Sequence, residues 1–73
     1  MYRNLEVELK RRNMTHADLG QSIGMDDAAL SMRFNGKREW RLSEMRKVQT
    51  ALGNQHTLEY LFAVQDEADG GAA

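Results

Sequence analysis

The chain contains no cysteine, and this absence constrains its fold most strongly because the chain has only 73 residues. A domain of this size buries only about 60% of its unfolded surface, so small domains usually depend on disulfides or on a structural metal. Disulfides and thiolate metal sites are excluded here, and the two histidines, His16 and His56, cannot form a zinc site by themselves. We therefore predict a single domain without metal or cofactor, held together by helix packing or by a partner subunit.

The rest of the composition favours helices. The chain has no proline, lacks a strongly alternating strand pattern and is rich in residues that form helices well. Capping residues and glycine stops predict an all-α fold with five short helices, at about 2–12, 15–23, 26–35, 43–52 and 57–64. Thr15 and Asp18 form an approximate capping box. The other expected helix starts are Asp26, Ser43 and Thr57, and the expected stops are Gly24, Gly36 and Gly53.

The formal net charge of −1 argues at first sight against nucleic-acid binding. However, residues 66–73 carry three acids, no base and little to bury, so we expect a flexible acidic tail after a domain of residues 1–65. That domain has a net charge of +2, and residues 33–47 alone have +4. Most surface Lys and Arg are simply solvated, so this basic stretch indicates a candidate binding face and no more.

Residues 16–35 have the spacing of two short helices that cross steeply. Gly20 is small where the two backbones would approach, and Gly24 tolerates the positive φ that the connection needs. The apolar residues expected to fill the wedge between the helices and the core are Leu19, Ile23, Met25 and Leu30. This pattern is typical of the helix-turn-helix, whose second helix enters the DNA major groove.

Over residues 2–63 the chain resembles the Cro/repressor-type (XRE family) helix-turn-helix proteins, the group that includes the lambda repressor DNA-binding domain. The similarity lies in residues 14–20, 23–25, 30–31 and 35–38, then Trp40, 42–44 and 51–52. It implies a compact five-helix lambda-repressor-like fold. It also implies a prophage-type transcriptional repressor that binds operator DNA in the cytoplasm of a bacterial cell, at the nucleoid.

The sequence departs from the family pattern at three places. The family usually has an apolar residue where Arg33 stands; here Leu30 and Phe34 can supply the inward face, which leaves Arg33 outside. His16 replaces a frequent Gln, and the acids of residues 26–27 replace Gln, Ser or Thr. Acids near the bases repel phosphate, but they also stabilise a helix N-terminus, and Asp can accept a hydrogen bond from cytosine N4.

The resemblance implies which residues contact DNA. The first turns of the third helix would face the base edges with Asp27, Ala28, Ser31 and Met32, while Arg33 reaches a guanine edge or the backbone. The expected phosphate contacts are His16, Asn35, Lys37 and Arg38, extended by Arg41. The basic residues 10–12 are better interpreted as charges that favour a helix C-terminus.

Two further features concern packing. Trp40 is predicted to be a core residue that fixes the basic loop, with its indole N–H on a backbone carbonyl or a water. The fifth helix is too apolar for a lone surface helix, so Tyr60 and Val64 either form a homodimer patch or fold back onto the first helix. A dimer would place two reading helices about 34 Å apart on a palindromic operator.

Other functions are less well supported by the residues. The sequence has no cysteine nucleophile, glycine-rich phosphate loop or cluster of metal ligands, so we do not expect an enzyme. It indicates no small-molecule ligand, no membrane-spanning run and no signal peptide, so we expect a soluble cytoplasmic protein. The alternative to DNA binding is a protein-binding module on the same fold, such as an antirepressor, which the near-zero net charge and residues 26–27 would suit.

Overall fold

The computed structural model describes residues 1–64 of the chain. This range contains five α-helices joined by short loops. They are α1 (Arg3–Arg11), α2 (His16–Ile23), α3 (Asp27–Phe34), α4 (Leu42–Ala51) and α5 (Leu58–Leu61), and these 64 residues contain no strand. The predicted all-α class is confirmed, as is the number of helices over this range. The predicted acidic tail lies outside the described residues. No helix within residues 1–64 is long and apolar enough to cross a membrane.

Side-chain caps explain where three of the helices begin. Thr15 Oγ1 accepts a hydrogen bond from the Asp18 N–H, and Asp18 Oδ2 accepts one from the Thr15 N–H, both at 3.0 Å. This reciprocal capping box lowers the pKa of Asp18, because its carboxylate accepts the Thr15 N–H. Asp26 caps α3 by accepting from the Ala29 N–H at 2.8 Å. Thr57 likewise caps α5, so the predicted caps at these three starts are confirmed.

The predicted start of α4 and the predicted end of α5 are wrong. The N-cap position of α4 is Arg41 instead of Ser43, and Glu44 Oε1 accepts the Arg41 N–H at 2.9 Å. Glu44, in the first turn of α4, therefore satisfies the backbone N–H of Arg41. The Arg41 side chain makes no capping hydrogen bond. Helix α5 ends at Leu61 instead of Val64, where Phe62 leaves the helix and packs on Trp40 with ring centroids 5.1 Å apart.

Two glycines shape the connection from α2 to α3, one within α2 and one directly after it. Gly24 has a φ of +73°, in the left-handed region that favours glycine. Gly20 is buried, and a Cβ there would lie 2.6 Å from the Met25 carbonyl oxygen. The close approach at Gly20 is thus to the backbone of the turn, not to the axis of α3.

The core is one cluster to which every helix contributes. Helix α2 packs against α3 and α4, and α5 packs against α1 and α4. The buried apolar residues are Leu5, Leu9, Leu19, Ile23, Leu30, Phe34, Trp40, Val48, Leu52, Leu61 and Phe62. Trp40 is a core residue as predicted, but its Nε1 has no hydrogen-bond acceptor among residues 1–64, so the predicted backbone carbonyl is not found there.

Candidate nucleic-acid interface

Four of the five residues predicted to read bases lie on one exposed face of α3. The helix buries Leu30, Arg33 and Phe34. The side chains left on the surface are Asp27, Ala28, Ser31 and Met32, which the helical period brings to one side. Met32 is 40% exposed, so the middle of this face presents a thioether, a methyl and a hydroxyl to solvent.

The prediction that Arg33 points outward is wrong. Only 9% of Arg33 is exposed, and its Nε and Nη2 donate to the two carboxylate oxygens of Glu44, each at 2.9 Å. Its Nη1 donates to the Ala29 carbonyl at 2.9 Å. The bidentate pair raises the pKa of Arg33 and lowers the pKa of Glu44. Position 33 faces α4, so this guanidinium is not available to a base or a phosphate.

The loop after α3 presents cationic side chains on a fixed backbone. Gly36, with a φ of +78°, ends the helix, and the N–H groups of Lys37 and Arg38 both donate to the Met32 carbonyl, at 2.9 and 3.2 Å. The side chains of Lys37 and Arg38 are exposed and make no ion pair within residues 1–64. Such cations can contact phosphates without reading sequence. Asn35 and Arg41 are exposed at the two ends of this loop.

His16 has two neighbours that the sequence did not predict. It is the first residue of α2, and its ring stacks on Phe34 with centroids 4.2 Å apart and an interplanar angle of 13°. Its Nε2 lies 2.7 Å from Glu6 Oε1, and both side chains are 48% exposed. His16 is therefore accessible from solvent, but a phosphate would have to compete with the Glu6 carboxylate for it.

Acidic residues surround the other end of α3. A surface cavity between α2 and α3 is lined by Ala17, Asp18, Gln21, Met25, Asp26 and Asp27. Asp18 and Asp26 are both engaged in helix caps, whereas Asp27 is exposed on the first turn of α3. The exposed face is therefore polarised along the helix, with acids at its start and cations just after its end.

Sequence reasoning missed a buried carboxylate, Glu8, whose partners lie outside α3 and its loop. The Glu8 side chain is 1% exposed. Its Oε1 accepts from Arg12 Nη1 at 2.8 Å and lies 3.0 Å from His56 Nε2, while its Oε2 accepts from the Tyr60 hydroxyl at 2.9 Å. The hydrogen bond from Arg12 is the largest cause that lowers the pKa of Glu8 to about 2. No local motif marks this site, because His56 and Tyr60 are distant in sequence.

The prediction that Tyr60 remains available for a dimer patch is wrong. Tyr60 is half-buried, donates its hydroxyl to Glu8, and receives a hydrogen bond at its carbonyl from Asn4 Nδ2 at 2.9 Å. Its ring centroid is 4.8 Å from that of His56. Tyr60 therefore folds back onto α1, the alternative left open by the sequence. Val64 remains 63% exposed, but one valine is too little to define an isologous patch.

Comparison of this chain with protein-family models, with curated proteins and with solved structures gave no match. Within residues 1–64, no three histidine, aspartate or glutamate side chains come together as potential metal ligands. Function is therefore inferred from the exposed face of α3, from the loop that follows it and from the ion pairs that fix them.

Proposed function

We propose that this chain is a sequence-specific regulator of transcription that binds double-stranded DNA, of the Cro/repressor type and with a lambda-repressor-like fold. In this proposal α2 and α3 form the helix-turn-helix, α3 enters the major groove, and the loop of residues 35–41 contacts phosphates. The observation that carries the proposal is the exposed face of α3, which leads directly into a loop whose cations, Lys37 and Arg38, have no intramolecular ion pair within residues 1–64.

The turn between α2 and α3 supports the helix-turn-helix assignment. Gly20 leaves room for the Met25 carbonyl, and Gly24 adopts the left-handed conformation of a tight turn. Two short helices of eight residues each meet at this turn. Because Leu19, Ile23 and Leu30 are buried in the core, the opposite face of α3 is left free for a groove.

Each exposed residue of α3 has a suitable chemical partner on a base edge. Ala28 and Met32 can contact a thymine methyl, Ser31 can exchange hydrogen bonds with a base, and Asp27 can accept one from cytosine N4. The phosphate contacts come from Asn35, Lys37, Arg38 and Arg41. His16 binds a phosphate as well once its ring nitrogen no longer contacts Glu6. Arg33 has no part in this contact surface, because Glu44 holds it.

The number of available cations limits the affinity of a single subunit. About three phosphate contacts give a salt slope of about −3 in log K against log salt, and a homodimer on a palindromic operator would double it. We therefore include a homodimer in the proposal. Useful affinity at physiological salt requires two subunits, because three contacts alone are weak.

The experiment that tests this function is selection of duplexes from a random pool, followed by salt titration of the selected duplex. Replacing Lys37 and Arg38 together by Ala should weaken binding to all sequences and reduce the salt slope by about 2 for each bound subunit. The matched control replaces Arg46 and Lys47 by Ala, since this removes the same charges from the exposed face of α4. Ser31→Ala should instead change the preference between sites.

The alternative function is a protein-binding module on the same fold. The acids around the cavity at the start of α3, Asp18, Asp26 and Asp27, favour it because they repel phosphate and would suit a partner with a basic surface. This alternative replaces the DNA proposal if no duplex is enriched at low salt and if the Lys37/Arg38 variant behaves like the Arg46/Lys47 control.

A further inference from the structure

One carboxylate holds both ends of the loop that carries the candidate phosphate contacts. Glu44 Oε1 accepts a hydrogen bond from Arg33 Nε, on the last turn of α3, and another from the Arg41 N–H, both at 2.9 Å. Glu44 Oε2 accepts from Arg33 Nη2, also at 2.9 Å. The segment between these attachment points, residues 34–40, contains Lys37 and Arg38, which make no ion pair within residues 1–64.

The attachment is rigid because every part of it is fixed by a further contact. The Arg33 guanidinium also donates to the Ala29 carbonyl on the preceding turn of α3, so it cannot turn away from α4. The side chains of Arg33 and Glu44 are only 10% and 17% exposed, which limits screening by solvent and salt. A bidentate arginine–carboxylate pair fixes both the distance between the two groups and their relative orientation.

We infer that the Arg33–Glu44 ion pair is a positioning device, which holds the cations of the loop in a fixed geometry relative to the exposed face of α3. It touches no DNA itself. The pair makes α3 and the loop after it one rigid unit. That unit presents Ser31 and Met32 to the bases and Lys37 and Arg38 to the phosphates. The inference rests on the proposed function, because it assigns the pair a role in that same interface.

Positioning and simple electrostatics predict opposite results for Glu44→Gln. The substitution removes a negative charge beside a basic loop, so electrostatics alone predicts tighter binding to DNA. Positioning predicts weaker binding, because each phosphate contact that is lost costs about eightfold at 0.1 M salt. Glu39→Gln is the matched control, since Glu39 is an exposed acid in the same loop and its loss should only tighten binding slightly.

Arg33→Lys provides a test in which the net charge does not change. Lysine keeps the positive charge but cannot form the bidentate fork, so electrostatics predicts unchanged affinity and positioning predicts a loss on the order of tenfold. This variant also decides the question if Glu44→Gln does not fold. Far-UV circular dichroism at the assay temperature establishes which variants are folded before their affinities are compared.

The experiment measures duplex affinity against salt, and amide hydrogen exchange of residues 36–41 without DNA, for the three variants and the unmodified chain. We expect Glu44→Gln and Arg33→Lys to bind on the order of tenfold more weakly, with a smaller salt slope and faster loop exchange, whereas Glu39→Gln does neither. If the unmodified chain binds duplexes and Arg33→Lys binds equally well, the inference alone is wrong. If the unmodified chain binds no duplex, the proposed function is wrong and the inference falls with it.

Discussion

Two largely buried glutamates, Glu8 on α1 and Glu44 on α4, are each paired with an arginine. Glu8 is more deeply buried, with 1% of its side chain exposed against 17% for Glu44. Glu8 receives side-chain hydrogen bonds from Arg12, directly after α1, and from α5, and it faces His56 in the loop before α5. Glu44 joins only α3 and the first turn of α4. The two carboxylates therefore have similar chemistry but join different parts of the fold.

The surroundings of the two carboxylates indicate that losing one should affect the fold differently from losing the other. Arg12, the partner of Glu8, also donates from Nη2 to the Leu52 carbonyl at 3.0 Å, so this network closes α1 against the end of α4 as well as against α5. Glu44 instead fixes a loop whose ends are already covalently joined to two helices. Losing the Glu8 network should loosen the whole domain, whereas losing the Glu44 pair should mainly loosen the loop.

The largest expected effect follows from Glu8→Gln, which keeps the shape of the side chain but removes its charge. Arg12 then loses its anionic partner, and the amide keeps only one oxygen where the carboxylate used two to accept from Arg12 and Tyr60. We expect the midpoint of thermal unfolding to fall by on the order of 10 °C, more than for Glu44→Gln. Circular dichroism melting curves of the two variants measure this difference directly.

The control for Glu8→Gln is Glu59→Gln, which neutralises an exposed acid on α5 and should leave the midpoint nearly unchanged. Duplex affinity, measured where the variant is folded, should also stay unchanged in Glu8→Gln, because the Glu8 network does not touch α3 or its loop. The contrast between the two regions is wrong if Glu44→Gln destabilises the domain more than Glu8→Gln does.

Protonation of Glu8 should contribute to unfolding of the domain in acid. The folded-state pKa of Glu8 is about 2, below the unfolded value of about 4.3, so the ionised carboxylate stabilises the fold fully above about pH 4.5. This stabilisation is lost as the pH falls from there towards 2. Urea unfolding at a series of pH values should therefore show a steep loss in the unmodified chain and a shallower one in Glu8→Gln.

Glu44 and Asp18 also have lowered pKa values, so they contribute to acid sensitivity in the same direction. The difference between the unmodified chain and Glu8→Gln isolates the share of Glu8, because both chains retain the other two carboxylates. Equal slopes in the two chains would mean that Glu8 is not held ionised by its network. The buried charge would then be unimportant for acid stability.

Local signals in the sequence predict much of the fold and part of the candidate site. Thr15, Asp26 and Thr57 cap their helices, and Gly20 and Gly24 shape the turn, because each acts within a few residues of itself. Ser43 is an exception: serine is a common cap, but Glu44 accepts the Arg41 N–H, and the N-cap lies two residues earlier than predicted.

What the sequence does not predict depends on contacts between distant residues. The helical pattern predicts an exposed Arg33, because Leu30 and Phe34 already supply an inward face, and only the tertiary fold brings Glu44 of α4 to it. Glu6 meets His16, and Glu8 meets Tyr60, across 10 and 52 residues. Contacts between such distant residues carry no periodicity of their own, so a helical pattern interprets their charged members as surface charges.

The smallest expected effect compares two tyrosines, Tyr2 and Tyr60, and separates hydrogen bonding from packing in the Glu8 region. Tyr60→Phe removes the hydroxyl that donates to Glu8 but keeps the ring beside His56. Tyr2 packs edge-on against Phe34, Trp40 and Phe62, and its hydroxyl makes no hydrogen bond within residues 1–64. Melting curves should show a loss of a few degrees for Tyr60→Phe and almost none for Tyr2→Phe. If the two substitutions cost the same, Tyr60 contributes through its ring alone, and Arg12 and His56 suffice to hold the Glu8 carboxylate.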